Sequence, residues 1–190
     1  MKAPRLETER LILRLPEARD FDAFADFMGN GEASRYVGGP QNRAMAWRNF
    51  MAIAGSWQIH GFSMFSVERQ DTGEWIGRIG PWMPEGWPGT EVGWGIVPSA
   101  QNMGFATEAA TAAIDWAFDN LGWDEVIHAI APENAPSQAV ARKLGARNRG
   151  PGKLPPPLDV MAVEIWGQTR AEWRENRGNS GPGRAELGPK

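Results

Sequence analysis

The stretch from Glu91 to Ala110, EVGWGIVPSAQNMGFATEAA, concentrates the residues able to do chemistry. An extended run, Glu91 to Val97, stops at Pro98, and a short loop holding Gly104 leads straight into a helical pattern. The first turn of a helix points unpaired N–H groups outward, with the positive end of the helix dipole behind them. Small residues let a ligand approach the backbone closely. Gln101, Asn102, Met103, Gly104, Phe105, Ala106 and Thr107 therefore form a candidate anion site, suited to a pyrophosphate. The alternative is that Gly104 only permits a tight strand-to-helix turn. The spaced glycines of a dinucleotide fingerprint are absent, and so is the Gly-Lys-Ser/Thr of a P-loop.

Proton chemistry has a few candidates. Strand alternation puts Glu91 on the same face as Gly93 and Gly95, which predicts open space for a ligand beside a carboxylate. The plain alternative is a solvated strand-end carboxylate. Glu164, near the end of the chain, is a second candidate base. Asn134 stands where a helix N-cap is needed, and Ser137 falls in the first turn that follows. Glu108 faces away from an apolar stripe near a helix start and reads as structural. His128, inside a short apolar strand, reads as a satisfied core histidine.

Other classes are excluded by composition. The chain has no cysteine and two distant histidines, so no metal is expected. A net charge of -3 provides no basic field, so nucleic acid is not an expected partner. No apolar run approaches the roughly 20 residues that span a bilayer, and the charged N-terminus is no signal peptide. No membrane partner and a cytoplasmic location are the expectations.

These groups need elements to hold them. RLILRL, Arg10 to Leu15, alternates as a strand, and Phe21, Phe24, Ala25 and Met28 recur at helical spacing. Trp47, Phe50, Met51, Ala54 and Trp57 mark a second helix. Phe62 to Val67 and Trp75 to Trp82 read as a hairpin around Gln70–Gly73. Trp82 and Trp87 lie beside and within a Pro/Gly loop, where they could wall a ligand pocket or simply pack. A long helix over about Gly104 to Leu121 carries the stripe Ala106, Ala109, Ala110, Ala113, Ile114, Ala117 and Phe118. A strand from Val126 to Ala131, a helix from Ala135 to Leu144, a loop from Gly150 to Pro157 and a last strand from Val160 to Trp166 follow. The prediction is one α/β domain with a mixed sheet over 1–175, and a polar, disordered tail over 176–190.

Gln101-Asn102-Met103-Gly104-Phe105-Ala106 resembles the Gln/Arg-x-x-Gly-x-Gly/Ala signature of the GNAT (Gcn5-related) N-acetyltransferases. Three further segments resemble its ribosomal-protein N-terminal acetyltransferase (RimJ/RimL-like) group: Thr8 to Arg14, Gly77-Arg78-Ile79-Gly80, and Asn134-Ala135-Pro136-Ser137 with Lys143-Leu144-Gly145. The four segments stand in the family's order, and the resemblance spans Leu6 to Trp173.

The resemblance implies a GNAT fold: a central mixed sheet of about six to seven strands with helices on both faces. It implies acetyl-CoA as cosubstrate, with its pyrophosphate on Gln101 to Thr107 and its pantetheine between splayed strands at Glu91–Val97 and Val126–Ala131. Ile96 and Val97 would border the thioester, with an oxyanion donor near Ile96, and Asn134 would contact the pantetheine. Arg142 and Lys143 are candidates for the 3′-phosphate of CoA, or plain surface charges. A primary amine, on a protein N-terminus or a small molecule, would attack the thioester directly, so a base must take a proton; Glu91 is its implied place. The rival within the fold is a non-catalytic acyl-CoA-binding module. Monomer and homodimer are both open. Many GNAT enzymes protonate the leaving thiolate with a late tyrosine, but the one tyrosine here is Tyr36, against ten tryptophans, and Trp166 stands in the last strand. The acid is then Ser137, water, or absent.

Overall fold

The chain forms a sheet of eight strands, one or two more than expected. These are β1 (Leu6–Glu7), β2 (Leu11–Arg14), β3 (Phe65–Arg69), β4 (Trp75–Trp82), β5 (Glu91–Ile96), β6 (Glu125–Ile130), β7 (Arg147–Gly152) and β8 (Val163–Thr169). The computed structural model describes residues 4–179. The strands lie in the order β1-β2-β3-β4-β5-β6-β8-β7. Every neighbouring pair is antiparallel except β5 and β6.

The extra strands are the two edges. β1 is only two residues long. β7 carries Gly150 and Pro151, which argued for a loop at 150–157. An edge strand tolerates a residue without an N–H, and the β7–β8 register shifts between Asn148 and Pro151.

The helices are α1 (Phe21–Gly29), α2 (Arg43–His60), α3 (Phe105–Asn120), α4 (Ala135–Lys143) and α5 (Arg170–Asn179). Asn42 starts α2 four residues before the apolar stripe does, because its side chain accepts the Met45 N–H at 3.0 Å. The stripe of α3 is buried as expected, with Ala109, Ala110, Ala113, Ile114 and Ala117 fully covered. Alanines let α3 lie close on the sheet, against Ile79, Val92 and Ile96. On the other face Phe24, Phe27 and Met28 of α1 pack with Phe50 and Ile53 of α2 and with Trp75. α5 was not expected. Residues 176–179, assigned to the tail, continue it, and 180–190 lie outside the described residues.

A buried ion cluster fixes the corner where β2 meets α1. Arg14 reaches Asp20 at 2.7 Å and Glu68 at 2.8 Å. Ser66 Oγ donates to Asp20 at 2.7 Å, and so does the Glu17 amide at 2.9 Å.

Candidate active site

Past Ile96 the chain turns through Pro98–Ala100 and reaches Gly104, whose φ of 83° caps α3 from the left-handed region. Gly104 offers no side chain to the helix, and the first bond back to it comes from Glu108 N–H at 3.1 Å. The amides of Phe105, Ala106 and Thr107 have no intrahelical acceptor and face the loop. Gln101 closes the loop by donating from Nε2 to the Ile96 carbonyl at 3.1 Å. Arg10 braces it from the N-terminal side: Nη1 donates to Met103 O at 3.0 Å, and Nη2 pairs with Glu108 at 2.6 Å. Glu108 also accepts from Thr8 Oγ1 at 2.6 Å, so it ties the N-terminal segment to α3.

A groove of about 430 Å³ runs along this loop. Ile96, Gln101, Asn102, Gly104, Phe105, Ala106 and Thr107 line it from one side, and Asn134, Ser137 and Lys143 from α4. Val97 and Met103 do not line it: the Val97 amide donates to Ile76 O at 2.9 Å, and the Met103 side chain is exposed. Arg142 turns away, over the Trp166 ring at 5.0 Å.

The groove leads to a gap in the sheet. β5 and β6 keep a single register pair, Glu91 with Ile127, and then part. Side chains take over where backbone pairing ends. His128 Nδ1 bonds the Val92 carbonyl at 2.7 Å, and the Ala129 N–H donates to Glu91 Oε1 at 3.3 Å. Val97 N–H points toward β4 and Val92 O toward β6. Alternation therefore turns the amides of Trp94 and Ile96 into the gap. The Trp94 ring lies 4.8 Å from His128 and donates from Nε1 to Ser137 Oγ at 3.2 Å. Asn134 caps α4 by accepting the Ser137 N–H at 3.2 Å.

Beyond the gap lies a second cavity of about 600 Å³, walled by Glu91, Arg78, His128, Trp82 and Trp87. Glu91 is buried, 7% exposed, rather than a solvated strand end. Burial pushes its carboxyl up to about 7, against the opposing effects of the Trp87 indole N–H, the Ala129 amide and the Arg78 charge. Trp82 and Trp87 meet edge to face, and Trp87 Nε1 donates to Glu91. The open face expected beside Glu91 is partly roofed. A Cβ at Gly95 would meet Phe27 at 3.0 Å, and one at Gly93 would meet Met64 at 2.9 Å. The ligand space is beside Glu91 itself.

Both cavities share Tyr36, Val37, Trp94, Asn134 and Ser137, so they meet at the gap. Sequence reasoning missed Tyr36 here, since a polar, Gly-rich loop has no periodicity to reveal that it folds over the sheet. It also missed Arg78 and took His128 as core. His128 is fully buried, yet its Nε2 has no partner among the described residues and the residue lines the second cavity. Glu164 lies outside both cavities and accepts from Asn148 Nδ2 at 2.8 Å.

A sequence model of the acetyltransferase (GNAT) domain matches residues 10–147. The chain is 28% identical over 145 residues to the uncharacterized N-acetyltransferase YnaD of Bacillus subtilis strain 168, a match covering 76% of this chain and 84% of that one. Its structure is similar to that of an acetyltransferase from Agrobacterium tumefaciens C58, with a TM-score of 0.78 and 32% identity over 90% of this chain and 96% of that one. It shares its fold with the ribosomal-protein-S5-alanine acetyltransferase of Vibrio fischeri, at a TM-score of 0.67 and 18% identity, over 90% and 98% of the two chains. A splayed parallel strand pair, a helix start with no side-chain cap and a domain match over most of its length lead to one conclusion: the chain belongs to the GNAT acetyltransferase family, whose members are acetyl-CoA-dependent N-acetyltransferases.

Proposed function

We propose that this chain catalyses direct transfer of an acetyl group from acetyl-CoA to a primary amine, with Glu91 as the general base. The observation that carries the reading is a buried carboxylate, its pKa raised to about 7, in a cavity that meets the groove at the gap between β5 and β6. Such a group supports catalysis over a non-catalytic acyl-CoA-binding module.

The residues suit the cosubstrate. Acetyl-CoA supplies an activated thioester. The free amides of Phe105, Ala106 and Thr107, with Lys143 opposite, suit a pyrophosphate. The amides of Trp94 and Ile96 are turned to stabilise a developing oxyanion. As the N–C bond forms and the C–S bond breaks, the amine loses a proton toward Glu91 and the sulfur leaves with the electron pair. A hydroxyl at the junction, Ser137 or Tyr36, returns a proton to it. The acceptor is a small-molecule amine or a protein N-terminus.

The test is thiol release with a panel of primary amines across pH. Glu91 must be ionised to accept a proton, so kcat/KM rises with pH through about 7. Glu91→Gln lowers kcat by roughly 100-fold or more and removes that limb. An unchanged profile in the variant removes Glu91 from the chemistry.

A further inference from the structure

The cavity beside Glu91 holds more polar capacity than acetyl transfer calls for. Three buried side-chain atoms of its lining residues lack a hydrogen-bond partner among the described residues: Arg78 Nε, Gln41 Oε1 and His128 Nε2. Buried polar atoms are almost always satisfied, so three orphans gathered at one cavity point to a polar ligand.

Arg78 is the most exacting of them. It forms no ion pair within 4.0 Å among the described residues, and its hydrogen bond goes to the Met64 thioether, a weak acceptor. Burial lowers its pKa to about 10, with Glu91 opposing from a distance. The position of Arg78 is built in. It stands opposite Gly95 on β5, while Glu91 stands opposite Trp82, so Arg78 and Glu91 project from one face of the sheet. Their Cα positions are about 13 Å apart along the strands at about 3.3 Å per residue. The same-face positions between them are Gly80 and Gly93. On one flank, Gly77 lets β4 close on β5, since a Cβ there would come within 2.2 Å of Gly95 O. A cation and a base thus line the same cavity from one face of the sheet.

The remaining orphans accept. His128 Nδ1 faces a carbonyl at 2.7 Å, and a carbonyl can only accept, so Nδ1 carries the proton and Nε2 the lone pair. Gln41 Oε1 is a second acceptor. A fixed cation and several acceptors around one cavity are complementary to a molecule that carries both an anion and an amine.

Resting on the transfer reading above, we infer that the acceptor is an amino-acid-type amine, its carboxylate bound by Arg78 and its amine turned toward Glu91, Gln41 Oε1 and His128 Nε2. The volume of about 600 Å³ takes a free amino acid, with Trp82 and Trp87 as an aromatic wall for its side chain.

The test compares free L-amino acids with their α-amides as acceptors of the wild-type protein, read by thiol release. The best acid exceeds its own amide by about 10- to 100-fold in kcat/KM, the worth of a charge-assisted hydrogen-bonded pair. In Arg78→Gln that ratio falls to near one, and Arg78→Lys restores part of it. Peptides beginning with Asp or Glu, set against those beginning with Asn or Gln, separate a protein N-terminus from a free amino acid as the source of the carboxylate. The inference is overturned if neither pair is discriminated, or if discrimination survives in Arg78→Gln. The acid-to-amide comparison on wild type needs no variant to fold. If no amine at all is acetylated, the transfer reading fails, and the carboxylate site is read on its own. Free amino acids with CoA then still raise the thermal midpoint of wild type and not of Arg78→Gln. No shift in that case overturns the site as well.

Discussion

In the proposed transfer, two hydroxyls at the junction of the cavities are candidates to give the leaving sulfur its proton. Ser137 Oγ accepts from the Trp94 indole at 3.2 Å, which leaves its own O–H free to donate. Tyr36 borders both cavities from the loop between α1 and α2. Ser137 lies in the first turn of α4, on an element fixed by the Asn134 cap, whereas Tyr36 rests on a loop. A positioned acid belongs on the rigid element, so Ser137→Ala is expected to lower kcat by roughly 100-fold while the KM for acetyl-CoA stays within a few-fold. Tyr36→Phe is the control. Full kcat in Ser137→Ala with loss in Tyr36→Phe hands the role to the phenol. The place of Ser137 beside the cavities was legible in the sequence because cap and first turn are three residues apart, a local relation. The places of Tyr36, Arg78 and His128 were not, because they depend on strand register and on which loop covers the sheet.

The strand–loop–helix unit from Glu91 to Asn120 was legible almost to the residue, because every signal in it is local: alternation, a proline stop, a glycine cap and an alanine stripe. Edge strands β1 and β7 were illegible for the opposite reason. β7 is specified by pairing with β8 and not by its own Gly- and Pro-rich sequence. The α3 cap gives this element its own prediction. Gly104 sits at φ 83°, where a Cβ is strained, and that Cβ would also meet Arg10 Nη2 at 3.4 Å. Gly104→Ala is expected to cost about 1–2 kcal/mol of stability. It also shifts the amides of Phe105 to Thr107, so the KM for acetyl-CoA rises by more than the fall in kcat. Urea unfolding and steady-state kinetics measure the two effects. A stability loss with unaltered acetyl-CoA affinity removes the helix start from binding.

At the scale of the whole molecule, two buried titratable groups on neighbouring strands oppose one another. Burial raises Glu91 from 4.5 to about 7, so folding favours its protonated form. The stability this gives is present below 4.5 and is lost as pH rises through about 7. Burial lowers His128 from 6.5 to about 4, against the Val92 hydrogen bond, so folding favours its neutral form. That stability is present above 6.5 and is lost as pH falls through about 4. Between 4.5 and 6.5 the folded state holds one proton more at Glu91 and one fewer at His128 than the unfolded chain. The two slopes, each about 1.4 kcal/mol per pH unit, cancel there. Asp20 is also buried, but Arg14, the Glu17 amide and Ser66 together hold it below the usual carboxylate range, so its effect falls at more acid pH. Glu108 and Glu172 are likewise held below the usual range, so their effects also fall toward acid pH, and the wild-type urea midpoint is expected to be nearly flat between about pH 5.5 and 6.5. Glu91→Gln removes one of the two groups, so its midpoint should climb with pH across that window as His128 acts alone. A flat profile in Glu91→Gln, or a steep one in wild type, breaks the pairing, because either result requires that one group titrates as it does in the unfolded chain.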